Sequence, residues 1–134
     1  MKTLKLTLKK EWFDLINSGE KTEEYREIKD YWVKRLVWIF TDIDYLAYDE
    51  MLSDLKNPLE RHRSLSELEK FWLIEMGTFN KVELKNGYSK TSPTIVCEFK
   101  GIEIRTGNQK WGALENEQYF VIKLGSITER YNCY

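Results

Sequence analysis

Histidine is almost missing: His62 is the single one in 134 residues. Metal centres built on imidazole therefore lack ligands, and a histidine-based triad has only His62 to draw on. Cysteine is nearly as scarce. Cys97 and Cys133 stand far apart and form no Cys-x-x-Cys pair, so two free thiols in a reducing compartment are expected. Two prolines and seven glycines are too few for a collagen-like or linker-like chain. There is no long hydrophobic run. The longest, Leu36–Phe40, holds five residues where a membrane helix needs about 20, so no membrane partner is expected. Met1-Lys2-Thr3-Leu4-Lys5 alternates and lacks the apolar centre of a signal peptide, which makes the expected location cytoplasmic. Neither sign of charge dominates. With 21 Lys and Arg against 22 Asp and Glu, the net charge is −1, unlike that of a protein that coats nucleic acid non-specifically. No HExxH, GxGxxG or Walker loop is present, so neither metal nor cofactor is expected.

What is present is enough for a core. Hydrophobic residues make up 42%, and six Phe, five Trp and eight Tyr argue for a packed single domain over residues 1–134 rather than a disordered chain. Charge is unevenly spread. Residues 1–40 carry +2, residues 41–76 carry −5 and residues 77–134 carry +2. The acidic middle block has a helical pattern: Tyr48, Met51, Leu52 and Leu55 recur at helical spacing before Asn57-Pro58. Ser64 and Glu67 have capping-box spacing, and Leu65, Leu68, Trp72 and Met76 share one face up to Gly77.

The flanks alternate as strands do. Leu4, Leu6 and Leu8 predict a strand over 3–8, and Val82 and Leu84 another over 79–85, before the Asn86-Gly87 turn signal. Ile95, Cys97 and Phe99 are odd-numbered, whereas Ile102 and Ile104 are even, so a strand over 94–105 needs a β-bulge near Gly101. Phe120, Ile122 and Leu124 predict a last strand over 118–124. Two short helices are expected: Lys10–Ser18, with Trp12, Leu15 and Ile16 on one face, and one from Asp30 to Leu36. The expected class is α+β: a small curved β-barrel with short N-terminal helices and an acidic helical insertion at about 41–76.

The densest polar cluster is Gly19-Glu20-Lys21-Thr22-Glu23-Glu24-Tyr25-Arg26. Residues 21–27 read as a polar strand. Thr22, Glu24 and Arg26 then share one face, while Lys21, Glu23, Tyr25 and Glu27 share the other. The glycine turn can redirect Lys21. Glu24 and Arg26 read either as a structural ion pair or as a pair that reads the donor and acceptor edge of a ligand. Lys21 can contact phosphate or exchange a proton. Lys5, Lys9 and Lys10 read as a solvated face or as phosphate contacts. Tyr25, Tyr88, Trp12, Trp32 and Trp111 read as core or as base-stacking platforms, with Trp111 on a loop between Gly107 and Gly112. His62, in Glu60-Arg61-His62-Arg63, reads as a surface residue.

The spacing Gly-x-Lys-x-x-Glu-x-Arg, met by Gly19, Lys21, Glu24 and Arg26 after a short helix, resembles the ASCH domain family. Asn86-Gly87-Tyr88, the Phe99–Gly107 stretch, Trp111-Gly112-Ala113 and Tyr119–Gly125 are similar to it as well. The resemblance covers residues 3–40 and 79–125. It implies a PUA-like fold whose cleft holds the motif, with RNA, a short single strand or a modified nucleobase as ligand. The ligand-binding set would be Lys21, Glu24, Arg26, Tyr25, Tyr88 and Trp111. Small bacterial members that resemble this chain are amidohydrolases acting on acylated cytidine nucleosides, with a threonine nucleophile at the position matching Glu24. Glu24 departs from that pattern and supplies no acyl-accepting hydroxyl. If the chain is an enzyme, a nucleoside hydrolase in which Lys21 and Glu24 assist a water is the alternative. The 41–76 helices offer a surface for a protein partner. Lys21→Met is expected from sequence to leave folding near wild type.

Overall fold

A computed structural model describes residues 2–39 and 74–133. The expected insertion at 41–76 lies outside the described residues as far as Leu73, and His62 lies outside them too. The described elements are β1 (Thr3–Thr7), α1 (Lys10–Asn17), β2 (Glu23–Glu27), α2 (Asp30–Leu36), β3 (Val37–Ile39), β4 (Ile74–Met76), β5 (Lys81–Lys85), β6 (Thr94–Thr106), a 3-10 turn (Gln109–Trp111) and β7 (Gln118–Tyr131). The chain is α+β. Five strands form a curled, mixed half-barrel sheet in the order β1-β5-β6-β7-β2, and β3 and β4 form a separate pair. Two compact units divide the chain: Met1–Glu24 with Thr78–Gly101 and Ile122–Tyr134, and Tyr25–Gly77 with Ile102–Val121.

The first unit follows the leucine alternation. Leu4, Leu6 and Leu8 are buried, so Thr3, Lys5 and Thr7 take the opposite face of the pleat. β1 runs parallel to β5 with Lys5 beside Glu83 and Thr7 beside Lys85. β5 runs antiparallel to β6, with Val82 beside Cys97 and Leu84 beside Ile95. Val82, Leu84 and Ile95 are fully buried and Cys97 nearly so. Gly101 takes a φ of +118° within β6, a backbone that glycine adopts without penalty. The strand expected over 79–85 begins at Lys81 instead. Phe79 precedes it as a buried ring, 5.3 Å edge-on from Phe99. In α1 it is Phe13 and Ile16, three apart, that bury fully, whereas Trp12 and Leu15 are half-buried.

The second unit holds α2 with Val33 and Leu36 inward. Asp30 is its first residue, where a carboxylate opposes the positive end of the helix dipole; it pairs with Lys34 at 3.2 Å. Two strands here went unread. Val37–Ile39 pairs antiparallel with Ile74–Met76, and the Gly77 N–H closes back on the Leu36 carbonyl at 2.7 Å. A helix carried to Met76 is therefore corrected: residues 74–76 are extended. Backbone pairing with β3 outweighs the helical spacing of Trp72 and Met76. β7 also runs beyond its expected end at residue 124, reaching Tyr131.

Candidate functional site

The site begins at the end of α1. The Ser18 hydroxyl donates to the Leu15 carbonyl at 2.9 Å. Gly19 has a φ of +84° and donates its N–H to the Ile16 carbonyl at 3.0 Å, closing the helix with a left-handed residue. The Lys21 N–H then reaches back to the Leu15 carbonyl at 3.0 Å. This return holds Lys21 off the strand, since β2 starts only at Glu23. Strand parity placed Lys21 and Glu24 on opposite faces. The turn overrides that parity and brings them together.

The Lys21 ammonium donates to the Glu24 carboxylate at 3.0 Å, and the two side chains are 0% and 7% exposed. The same ammonium lies 4.7 Å from the centre of the Trp12 ring. One cation is thus held between a carboxylate and an indole face, a cation–π contact of about 2 kcal/mol when water is excluded. Such a buried pair adds little net stability, yet losing one partner strands a charge in low dielectric at about 3–5 kcal/mol. The sequence expectation for Lys21→Met is corrected accordingly: folding near wild type applies to an exposed lysine, not to this one.

A cleft of about 620 Å³ adjoins this turn. Its lining includes Gly19, Lys21 and Thr22 from the motif, Asn17 from α1, and Ser126 and Arg130 from β7. Arg130 donates through Nε to the Asn17 side-chain oxygen at 2.8 Å, and the Leu124 N–H donates to the Thr22 carbonyl at 3.0 Å. Cys97 also lines the cleft. Burial pushes its thiol up to about 11, against a smaller opposing pull from Arg130, so it is no thiolate nucleophile near neutral pH. Both cysteines are free.

The remaining expected site residues have contacts of their own. Arg26 places its guanidinium 4.9 Å from the Trp32 ring centre, and Arg35 lies 5.0 Å from the same ring. Tyr25 packs 5.7 Å from Tyr119, and its hydroxyl accepts the Asn108 N–H at 2.8 Å. A side chain at Gly107 would stand 2.8 Å from the Tyr25 ring, so ring and hydroxyl together hold the 107–113 loop. Trp111 ends the 3-10 turn half-buried, with Gly112 at a φ of +100° behind it. Tyr88 is 92% exposed and lines a separate cleft with Lys5 and Lys85 that shares no residue with the first. Among the flanking lysines, Lys10 pairs with Asp14 at 2.6 Å.

Asn17, Ser126 and Arg130 were missed in the sequence. Arg130 belongs to an outer half of β7 that is mostly exposed, so no apolar alternation announces it. Among the described residues no three His, Cys, Asp or Glu side chains gather as a metal site. No described helix is long and apolar enough to cross a membrane. The chain matches no protein-family model, no curated protein and no solved structure.

Proposed function

We propose that the chain is an ASCH-like domain of PUA-like barrel fold, binding RNA, a short single strand or a modified nucleobase at the Gly19–Arg26 motif. The observation that carries the reading is the sequestered Lys21–Glu24 pair beneath Trp12, beside the 620 Å³ cleft. The cleft's size is that of an ordinary small-molecule site. Thr22, Ser126, Asn17 and Arg130 offer it donors and acceptors suited to a base edge or a phosphate. Lys21, which lines the cleft, supplies a fixed positive charge already stripped of water, so a ligand anion meets it without paying to desolvate it again. In this reading the acidic sequence block ahead of Ile74 is what a protein partner in the cytoplasm would meet.

A hydrolase acting on a modified nucleoside is the second reading, and the 3.0 Å contact between ammonium and carboxylate favours it. Glu24 would take a proton from water as the oxygen attacks an acyl carbon. The proton would then pass to the leaving nitrogen, with Lys21 holding the developing oxyanion.

The test is a panel of base-modified nucleosides, including an N-acylated cytidine, together with an RNA octamer. Melting temperature and chemical conversion are both read. A shift without conversion supports the binder, and conversion selects the hydrolase. Lys21→Met combined with Glu24→Gln removes both charges of the pair together and keeps the local net charge unchanged. That double variant should melt cooperatively and bind at least about tenfold more weakly. Unchanged binding by the folded double variant would overturn the motif as the site.

A further inference from the structure

A second cleft, of about 210 Å³, lies on the outer face of β1 and β5 and is lined by Lys5, Thr7, Glu83, Lys85, Gly87 and Tyr88, with Leu6. Its wall is built rather than loose. Parallel pairing sets Lys5 beside Glu83 and Thr7 beside Lys85. The turn that carries Tyr88 is tied down at both ends: the Asn86 N–H donates to the Pro93 carbonyl at 2.9 Å, and the Ser89 N–H donates to the Ser92 hydroxyl at 3.1 Å. Gly87 has a φ of +112°, and a side chain there would meet the Ser92 hydroxyl at 2.9 Å. A fixed turn thus holds out a tyrosine that is 92% exposed.

Burial does not account for this ring, which packs on almost nothing. The cleft it lines is shared with Lys5, Lys85, Thr7 and Glu83, and the Glu83 carboxylate lies 4.0 Å from the Lys5 ammonium. That set matches a base carrying a phosphate: a π face for stacking, a cation for the backbone, and an acceptor for an imino or amino proton. The volume is below the roughly 300 Å³ of ordinary ligand pockets, so the cleft suits one base rather than a whole enclosed nucleotide.

We propose that this cleft is a subsite for one unpaired base of single-stranded RNA, stacked on Tyr88 with its phosphate at Lys85. The proposal takes only its ligand class from the nucleic-acid reading above and uses none of the residues at the Lys21 turn.

The experiment is a fluorescence-anisotropy titration of labelled octauridylate against the full chain at low salt. Wild type should bind saturably. Tyr88→Ala should weaken binding at least about fivefold, while Tyr88→Phe, which keeps the ring, binds like wild type. Lys85→Gln should flatten the dependence of log affinity on log salt by about 0.7. Tyr88 is exposed and Lys85 half-buried, and an unchanged melting temperature confirms folding. No binding by wild type, or equal binding by wild type and Tyr88→Ala, would overturn the proposal. It also falls if an acidic peptide of equal charge binds with the same dependence on Tyr88, since a protein partner would then be indicated. If Lys21→Met with Glu24→Gln loses the octamer while Tyr88→Ala keeps it, the motif reading stands and this one fails. Loss confined to Tyr88→Ala supports this subsite and removes octameric RNA from the motif.

Discussion

A lysine, a glutamate and an aromatic residue come together twice in the first unit. At the end of α1, Lys21, Glu24 and Trp12 form a trio with a 3.0 Å ion pair whose members are 0% and 7% exposed. On the outer face of β1 and β5, Lys5, Glu83 and Tyr88 line one cleft, with a 4.0 Å pair whose members are 74% and 30% exposed. Chemistry in the two places is nearly alike; access to water is not. In the buried trio almost no solvent reaches either charge, so protein groups must replace the water each has lost. On the outer face water screens both, and the pair itself contributes about 0–1 kcal/mol. The first arrangement keeps a charge desolvated and in one position. The second leaves a lysine and an aromatic ring open to whatever arrives.

The largest expected break in this comparison is Lys21→Met. It removes the buried ammonium held against Glu24 and should lower unfolding free energy by about 3–5 kcal/mol, read as a fall in the denaturant midpoint. Adding Glu24→Gln should recover most of the loss. A smaller effect is expected for Trp12→Leu, which keeps an apolar cover but removes the π face. About 2 kcal/mol should be lost, again by chemical denaturation, with no such loss for Tyr88→Leu on the outer face.

How far the sequence could be read follows from the same contrast between buried and exposed faces. Leu4, Leu6, Val82, Leu84, Ile95 and Ile122 line a core, so their alternation announces β1, β5, β6 and the inner half of β7. The outer half of β7, from Gly125 to Tyr131, is mostly exposed, and polar residues facing water carry no period. Val37–Ile39 and Ile74–Met76 are three residues each, too short for a periodic signal. At the candidate site the motif residues were legible as a cluster, but their pairing was not. Lys21 meets Glu24 because Gly19 turns left-handed and the Lys21 amide returns to Leu15, which strand parity does not foresee. Trp12 joins them from nine positions upstream only because the helix ends there.

Alkaline titration sharpens the comparison by a smaller amount. Burial lifts the Cys97 thiol from 9.0 to about 11. The unfolded thiol therefore ionises first as pH rises, and the unfolded state binds fewer protons than the folded one across that interval. The Cys97 contribution is fully present below about pH 9 and is lost progressively toward pH 11. Cys97→Ala should flatten that part of the stability profile. Cys133, half-buried near the chain's end, should be alkylated by iodoacetamide well before Cys97 in the native protein.

The most direct measurement is a pair of double-mutant cycles by chemical denaturation, one on Lys21→Met and Glu24→Gln, the other on Lys5→Met and Glu83→Gln. The account predicts a coupling of at least about 2 kcal/mol for the first pair. For the second it predicts less than about 1 kcal/mol, vanishing near 1 M salt while the first persists. Equal couplings, or a Lys21–Glu24 coupling that salt abolishes, would contradict the claim that the motif holds a water-excluded charge pair.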